Sequence, residues 1–177
     1  MDEGLIWRLL SALAYVLPAY VANGAPVVAV RLVTATHPLD FGKKFVDGRR
    51  LLGDGKTLEG LVTGLAAGSS IGALMFLVNP AAFRHFTEPL LLSAGAMLGD
   101  VMGSFVKRRA GMERGAAVPI MDQLGFLVTS LLLCWALFGT PRWADPLTIA
   151  LLMAVTGVLH VATNAGAYLM GLKDRWY

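Results

Sequence analysis

Charge is scarce in this chain. Only 15% of its 177 residues are Asp, Glu, Lys or Arg, against 56% hydrophobic, whereas an ordinary soluble domain carries about 25% charged residues. The shortage excludes a conventional water-soluble globule and points to a protein integral to a membrane. With a net charge of +3, no nucleic-acid partner is expected. Cysteine is nearly absent: Cys134 is alone, inside an apolar run, so no internal disulfide forms. Three scattered histidines and that cysteine suit zinc poorly. The N-terminus lacks the basic region and cleavage site of a signal peptide, because Asp2 and Glu3 precede an apolar run that starts at Leu5. That run is expected to be a retained helix. GDGKT at 53–57 resembles the end of a phosphate-binding P-loop, but Arg50 stands where that motif needs its first glycine. A soluble P-loop ATPase is therefore excluded.

Long apolar runs take the place of charge. A hydrocarbon core of about 30 Å needs roughly 20 apolar residues to cross it, and five stretches suffice: about 5–30, 58–79, 88–106, 120–138 and 147–170. The fold class expected is all-α, a polytopic membrane protein with five transmembrane helices, two basic loops and one membrane-embedded domain over 1–177. Pro38 and Gly42, Asn79-Pro80, Pro89, Gly115 and Pro119, and Gly139, Pro141 and Pro146 punctuate the separators. Of the 15 Lys and Arg residues, only Arg8, Arg84 and Arg142 fall on the side of the N-terminus; the rest lie in the segments 31–57 and 107–114 and in the tail. The positive-inside rule then puts the N-terminus outside and the C-terminus and both basic loops in the cytoplasm of a multi-pass cell-membrane protein. Gly60, Gly64, Gly68 and Gly72, and Gly95, Gly99 and Gly103, recur at every fourth position. Such faces let helix backbones approach closely.

Polar residues inside these runs gather at one depth. Asn23, Asp100, Ser104, Asp122, His160 and Asn164 all fall in the inner half of their spans, Lys56 and Glu59 sit at the inner start of the second, and the outer half is expected to hold no ionisable group. Asp100, Ser104, Lys107 and Arg108 are spaced i, i+4, i+7 and i+8, one helical stripe. Ionisable groups within a membrane span cost at least about 2.5–3.5 kcal/mol on insertion scales, so they normally face a bundle interior or a watery cavity. Two carboxylates with hydroxyl and amide oxygens suit Mg²⁺. Lys43, Lys44, Lys56, Lys107, Arg108 and Arg109 on the same side suit a polyphosphate. Basic clusters beside a membrane helix also serve as topology determinants, the bland reading for Arg49, Arg50, Arg109 and Arg114.

Three blocks carry a family likeness: ANGAPVV at 22–28, LDFGKKFVDGRRLLGDGKTLEG at 39–60, and GDVMGSFVKRR with PIMDQLGF between 99 and 126. Together they resemble the archaeal CDP-archaeol synthase family, relatives of the CDP-diacylglycerol synthases. Ser104, Lys107 and Arg108 match the Ser-x-x-Lys-Arg run of the wider cytidylyltransferases; Pro119, Asp122 and Gln123 match a shortened form of its second part. The resemblance implies a reaction of CTP with an isoprenoid ether-lipid phosphate, 2,3-bis-O-geranylgeranylglycerol 1-phosphate, at the lipid bilayer, giving a CDP-lipid and diphosphate. Combined with the residue reading, it assigns Asp100, Lys107 and Asp122 to catalysis, with Mg²⁺ on Asp100 and Asp122. Asn23, Lys43, Lys56, Ser104, Lys107 and Arg108 would bind CTP and its phosphates, and Lys44, Gly103, Gln123, His160 and Asn164 are secondary candidates. The alternative is a small transporter or ion-pathway protein using the same cavity; polar access from one side only disfavours it. Oligomeric state and the residues selecting cytosine are not legible in the sequence.

Overall fold

The computed structural model describes residues 3–33, 35–113 and 115–172. Asp2, Arg114, Lys173 and Arg175, used above, lie outside the described residues. Five helices form: α1 (Glu3–Leu32), α2 (Leu58–Val78), α3 (Glu88–Arg109), α4 (Met121–Phe138) and α5 (Pro146–Leu169), with a short 3₁₀ turn at Pro80–Ala82. All five are long and apolar enough to cross a membrane. The chain is thus an all-helical, multi-pass membrane protein. Helix starts follow local chemistry. The Thr57 side chain accepts from the Gly60 amide at 3.1 Å to cap α2, and Asp145 caps α5 by accepting from the Thr148 amide, with Pro146 in the first turn.

The glycine faces do what their spacing predicts. Gly60, Gly64, Gly68 and Gly72 are all buried, and a Cβ at Gly64 would stand 2.7 Å from the Ala22 carbonyl oxygen of α1, or at Gly68 2.6 Å from that of Pro18. Pro26 has no N–H to donate to Ala22 O four residues earlier, so that carbonyl is free for the close approach of Gly64. Gly95 and Gly99 seat α3 on α4, where added Cβ atoms would meet Ser130 Cα at 2.5 Å and Gly125 O at 2.7 Å. Ser130 donates across that seam to Leu92 O at 2.8 Å. Gly103 differs: its nearest such neighbour is Met121 Cε at 4.0 Å. Tyr15, Val16, Ala19, Leu92, Ala96, Phe126, Leu127 and Leu131 fill the core between α1, α3 and α4. The fifth helix lies alongside, burying only Thr148, Leu152, Thr156 and Ala167, with Thr156 sharing a hydrogen bond with Tyr20 of α1 at 2.6 Å.

One expectation is corrected, and the glycine-bearing 39–57 loop is folded. Bridges pair Pro38 with Thr57 and Lys44 with Arg50, and the covered Asp40 carboxylate accepts from Arg50 Nε and Nη2 and from the amides of Gly42, Leu52 and Gly53. Gly53, at φ +87°, supplies the left-handed turn that aims its amide at Asp40. The outer half of the bundle, expected to hold none, does hold an ionisable group. Glu88, at the start of α3, is fully buried; it accepts from Tyr15 Oη at 2.9 Å, from the Arg84 amide at 2.6 Å and from the Arg84 guanidinium. In sequence Glu88 looks like a solvated first-turn acid, and its burial depends on a tyrosine 73 residues away.

Candidate active site

The C-terminal turn of α3, the N-terminal turn of α4 and the loop leading into α2 converge at one end of the bundle. At their junction Lys56 Nζ donates to Asp100 Oδ2 at 2.5 Å, and Lys107 Nζ reaches Asp122 of α4 at 2.6 Å while also donating to Ala116 O at 2.9 Å. The stripe predicted for α3 therefore divides. Asp100 turns to the loop, Lys107 turns to α4, and Arg108 lies over Gly53, its Nη1 3.7 Å from where a Cβ there would stand, while donating to Glu113 O at 3.1 Å. Glycine contacts put Gly99 beside Gly125 and Gly103 nearest Met121, so the two carboxylates sit within about one helical turn of each other in depth.

The loop is held onto α3 by Arg109. Its guanidinium bonds Asp47 Oδ1 at 2.5 Å and the Arg50 carbonyl, and lies 4.8 Å and 5.0 Å from the ring centres of Phe45 and Phe105. Arg49 returns a bond to Arg109 O at 2.6 Å. Arg49, Arg50 and Arg109, which as isolated residues look like topology determinants, thus fix the loop that carries Lys56. Within the loop, the paired Arg50 guanidinium and three amides hold the Asp40 carboxyl well below the usual carboxylate range. Sequence reasoning missed Asp40 as the organiser. The signal was there: it is the only acid between Glu3 and Asp47, amid cations. At the start of α4, Ile120 adopts φ +70°, a strained conformation for a β-branched residue. The Val118 amide then donates to Asp122 at 2.8 Å, fixing the carboxylate beside Lys107.

The remaining predicted residues lie on α1, α3, α4, α5 and the loop. Asn23 is half-buried in α1, and Ser104, one turn from Asp100, and Gly103 are half-buried in α3. Lys43 and Lys44 are exposed on the loop, and their side chains make no ion pair or hydrogen bond among the described residues. His160 lies on α5 with its ring 6.3 Å from that of Phe126, and Asn164 follows one turn later. Gln123 points toward Gly157 of α5, where an added Cβ would lie 3.9 Å from its Oε1.

The donor set at the junction fits a hard, phosphate-bound cation. Side chains of Asp100 and Asp122 are 37% and 32% exposed, and Mg²⁺ usually takes one or two carboxylates and completes its shell with water and substrate phosphates. Among the described residues no three His, Cys, Asp or Glu side chains gather in one cluster. Both pairs are partly exposed, so a metal-bound polyphosphate can exchange with them, its cation replacing lysine at each carboxylate and its oxygens replacing carboxylate at each lysine.

Fold and site together define a small intramembrane enzyme, with partly exposed acids and cations gathered where the basic loop meets one end of an apolar bundle. A family model described as CarS-like: CDP-archaeol synthase matches residues 5–177. The chain is similar to CDP-archaeol synthases of Aeropyrum pernix, 45% identical over 98% of this chain and 97% of that protein, and of Methanopyrus kandleri, 42% identical over 98% and 96%. It is also similar to a solved intramembrane enzyme for archaeal membrane lipid biosynthesis, at a TM-score of 0.77 and 42% identity over 88% of this chain and 94% of that one. The chain belongs to the CDP-archaeol synthase family of nucleotidyltransferases.

Proposed function

We propose that the chain transfers the cytidylyl group of CTP to 2,3-bis-O-geranylgeranylglycerol 1-phosphate, releasing diphosphate, with its charged end facing the cytoplasm. The observation that carries this reading is the pair of half-exposed acids, Asp100 and Asp122, each held by a lysine where the cationic loop meets the bundle. An oxygen of the lipid phosphate attacks the α-phosphorus of CTP in line; the new P–O bond forms as the bond to the β-phosphate bridging oxygen breaks, and diphosphate leaves with that electron pair. The nucleophile is already an anion, so the protein's task is alignment and neutralisation rather than proton removal. Asp100 and Asp122 would hold Mg²⁺, which would supply neutralisation of phosphate charge. Lys56 and Lys107 turn from carboxylate to phosphate oxygens, joined by Arg108. Ser104 and Asn23 hydrogen-bond at the same depth, and Lys43 contributes from the exposed rim of the loop. Excess Lys and Arg at the loop end supports the cytoplasmic orientation.

The test uses purified protein in liposomes with CTP, Mg²⁺ and the ether-lipid phosphate, scored for diphosphate and CDP-lipid. Asp100→Ala and Asp122→Ala are each expected to lower turnover by about 10²–10³-fold, the scale of losing one electrostatic element at a reacting centre. Near wild-type turnover in either would remove the metal assignment. Lys56→Ala is expected to raise the KM for CTP; an unchanged value would make the loop a membrane contact.

A further inference from the structure

A cavity lies outside the charged junction. A groove of about 650 Å³ runs between α4 and α5, lined by Gln123 and Leu124 on one side and by Ala154, Gly157, Val158 and Val161 on the other. It is open along the bundle surface, and its wall is apolar except for Gln123. On α5, Ala154, Gly157, Val158, Val161 and Ala162 recur at i, i+3, i+4, i+7 and i+8, one helical stripe facing α4. That stripe is separate from the Thr148, Leu152, Thr156 line that α5 buries. The two helices meet through small residues but stay apart, unlike α3 and α4, whose glycines close the seam to backbone contact.

Two features distinguish the groove from ordinary lipid-facing surface. It is a shallow, open depression rather than a flat helix face, and its polar member lies beside the site, because Gln123 reaches across to Gly157 from the position next to Asp122. From Met153 to Ala162 it extends about 14 Å along α5 at 1.5 Å per residue, roughly half of a 30 Å hydrocarbon core. Lys107 bonds Asp122, the neighbour of Gln123, so an occupant with a phosphate at Lys107 would place an apolar chain here. A methyl-branched chain is thicker at each branch than a straight one, and Ala154, Gly157 and Ala162 leave room for that thickness.

We propose that the α4–α5 groove binds one isoprenoid chain of the lipid-phosphate substrate, with Gln123 marking the boundary between chain and headgroup. This rests on the reaction proposed above and adds the substrate's tail site to it. Filling the groove should weaken lipid binding without touching the nucleotide.

The test uses the full-length protein in liposomes and an isoprenoid lipid phosphate carrying a mid-chain diazirine. Photolabelling is expected within 153–162 and at 123–124. Gly157→Leu should abolish that labelling and raise the KM for the lipid phosphate about tenfold with the KM for CTP unchanged, the pattern of lost ground-state binding. Thr163→Leu, at an exposed position on the opposite side of the same helix from the groove stripe, should change neither. Uniform labelling along α5, equal labelling by a neutral bilayer lipid bearing the same diazirine, or an unchanged lipid KM in Gly157→Leu would each overturn the proposal. Selective labelling without CDP-lipid formation in the wild type would retain the groove and defeat the reaction; CDP-lipid formation without selective labelling would do the reverse.

Discussion

The two ends of the bundle use the same residue types to opposite effect. At one end Glu88 is sealed, its side chain fully covered and its oxygens shared by Tyr15 and the backbone and guanidinium of Arg84. Arg84 also bonds Phe138 O and Gly139 O, tying α1, α3 and the end of α4 together. At the other end Asp100 and Asp122 remain about one-third exposed, each with a single lysine. Asp40 belongs with Glu88, since five donors surround it and no solvent reaches its side chain. The difference separates acids that hold structure from acids available to a ligand: saturation and burial mark the first kind, partial exposure and an exchangeable lysine partner the second, with the Val118 amide as a further donor to Asp122.

The comparison breaks first at Glu88. Glu88→Ala strands Arg84 and the Tyr15 hydroxyl and is expected to cost about 3–5 kcal/mol, as removal of one partner from a buried ion pair does. The readout is a large drop in melting temperature in detergent, with the Mg²⁺·CTP affinity of the remaining folded protein retained. Next comes Gly99→Ala, which drives a methyl to within 2.7 Å of Gly125 O and should cost about 1–3 kcal/mol by overpacking, seen by the same melt. Asp40→Asn should leave the helices intact but loosen the loop, speeding protease cleavage within 41–55 by about tenfold.

Asp40 also predicts a pH dependence. Its folded pKa is depressed, so its contribution is present above the unfolded value of about 3.9 and is lost as pH falls through the folded pKa. The wild-type loop should resist protease at neutral pH and weaken only below about pH 4, whereas Asp40→Asn should be sensitive throughout. The smallest effect is at Gly103, where a Cβ meets nothing nearer than 4.0 Å. Gly103→Ala should stay within about 0.5 kcal/mol of the wild type in the melt, and any loss of turnover would then come from the site.

Five spans were legible because about 20 apolar residues in a row have few alternatives, and the close packing of Gly64, Gly68, Gly95 and Gly99 followed from their spacing. The meeting of Lys56 with the stretch around Asp100 was legible too, since depth and charge gathered both at one end. What could not be read was partnership across the chain. The spacing from Asp100 to Arg108 suggested one stripe facing one cavity, yet side-chain length sends Lys107 to α4 while Arg108 lies over Gly53 of the loop. Glu88 depends on Tyr15, and the ordered loop depends on an acid whose amide donors exist only once Gly42 and Gly53 have made their turns.

Calorimetric titration of Mg²⁺·CTP into the purified protein tests the central division directly. Wild type should bind; Asp100→Asn and Asp122→Asn should each lose about 10²-fold in affinity, while Glu88→Gln, measured below its melting temperature, should bind within about twofold of the wild type. Wild-type affinity in both aspartate variants would contradict the assignment of these acids to the nucleotide site.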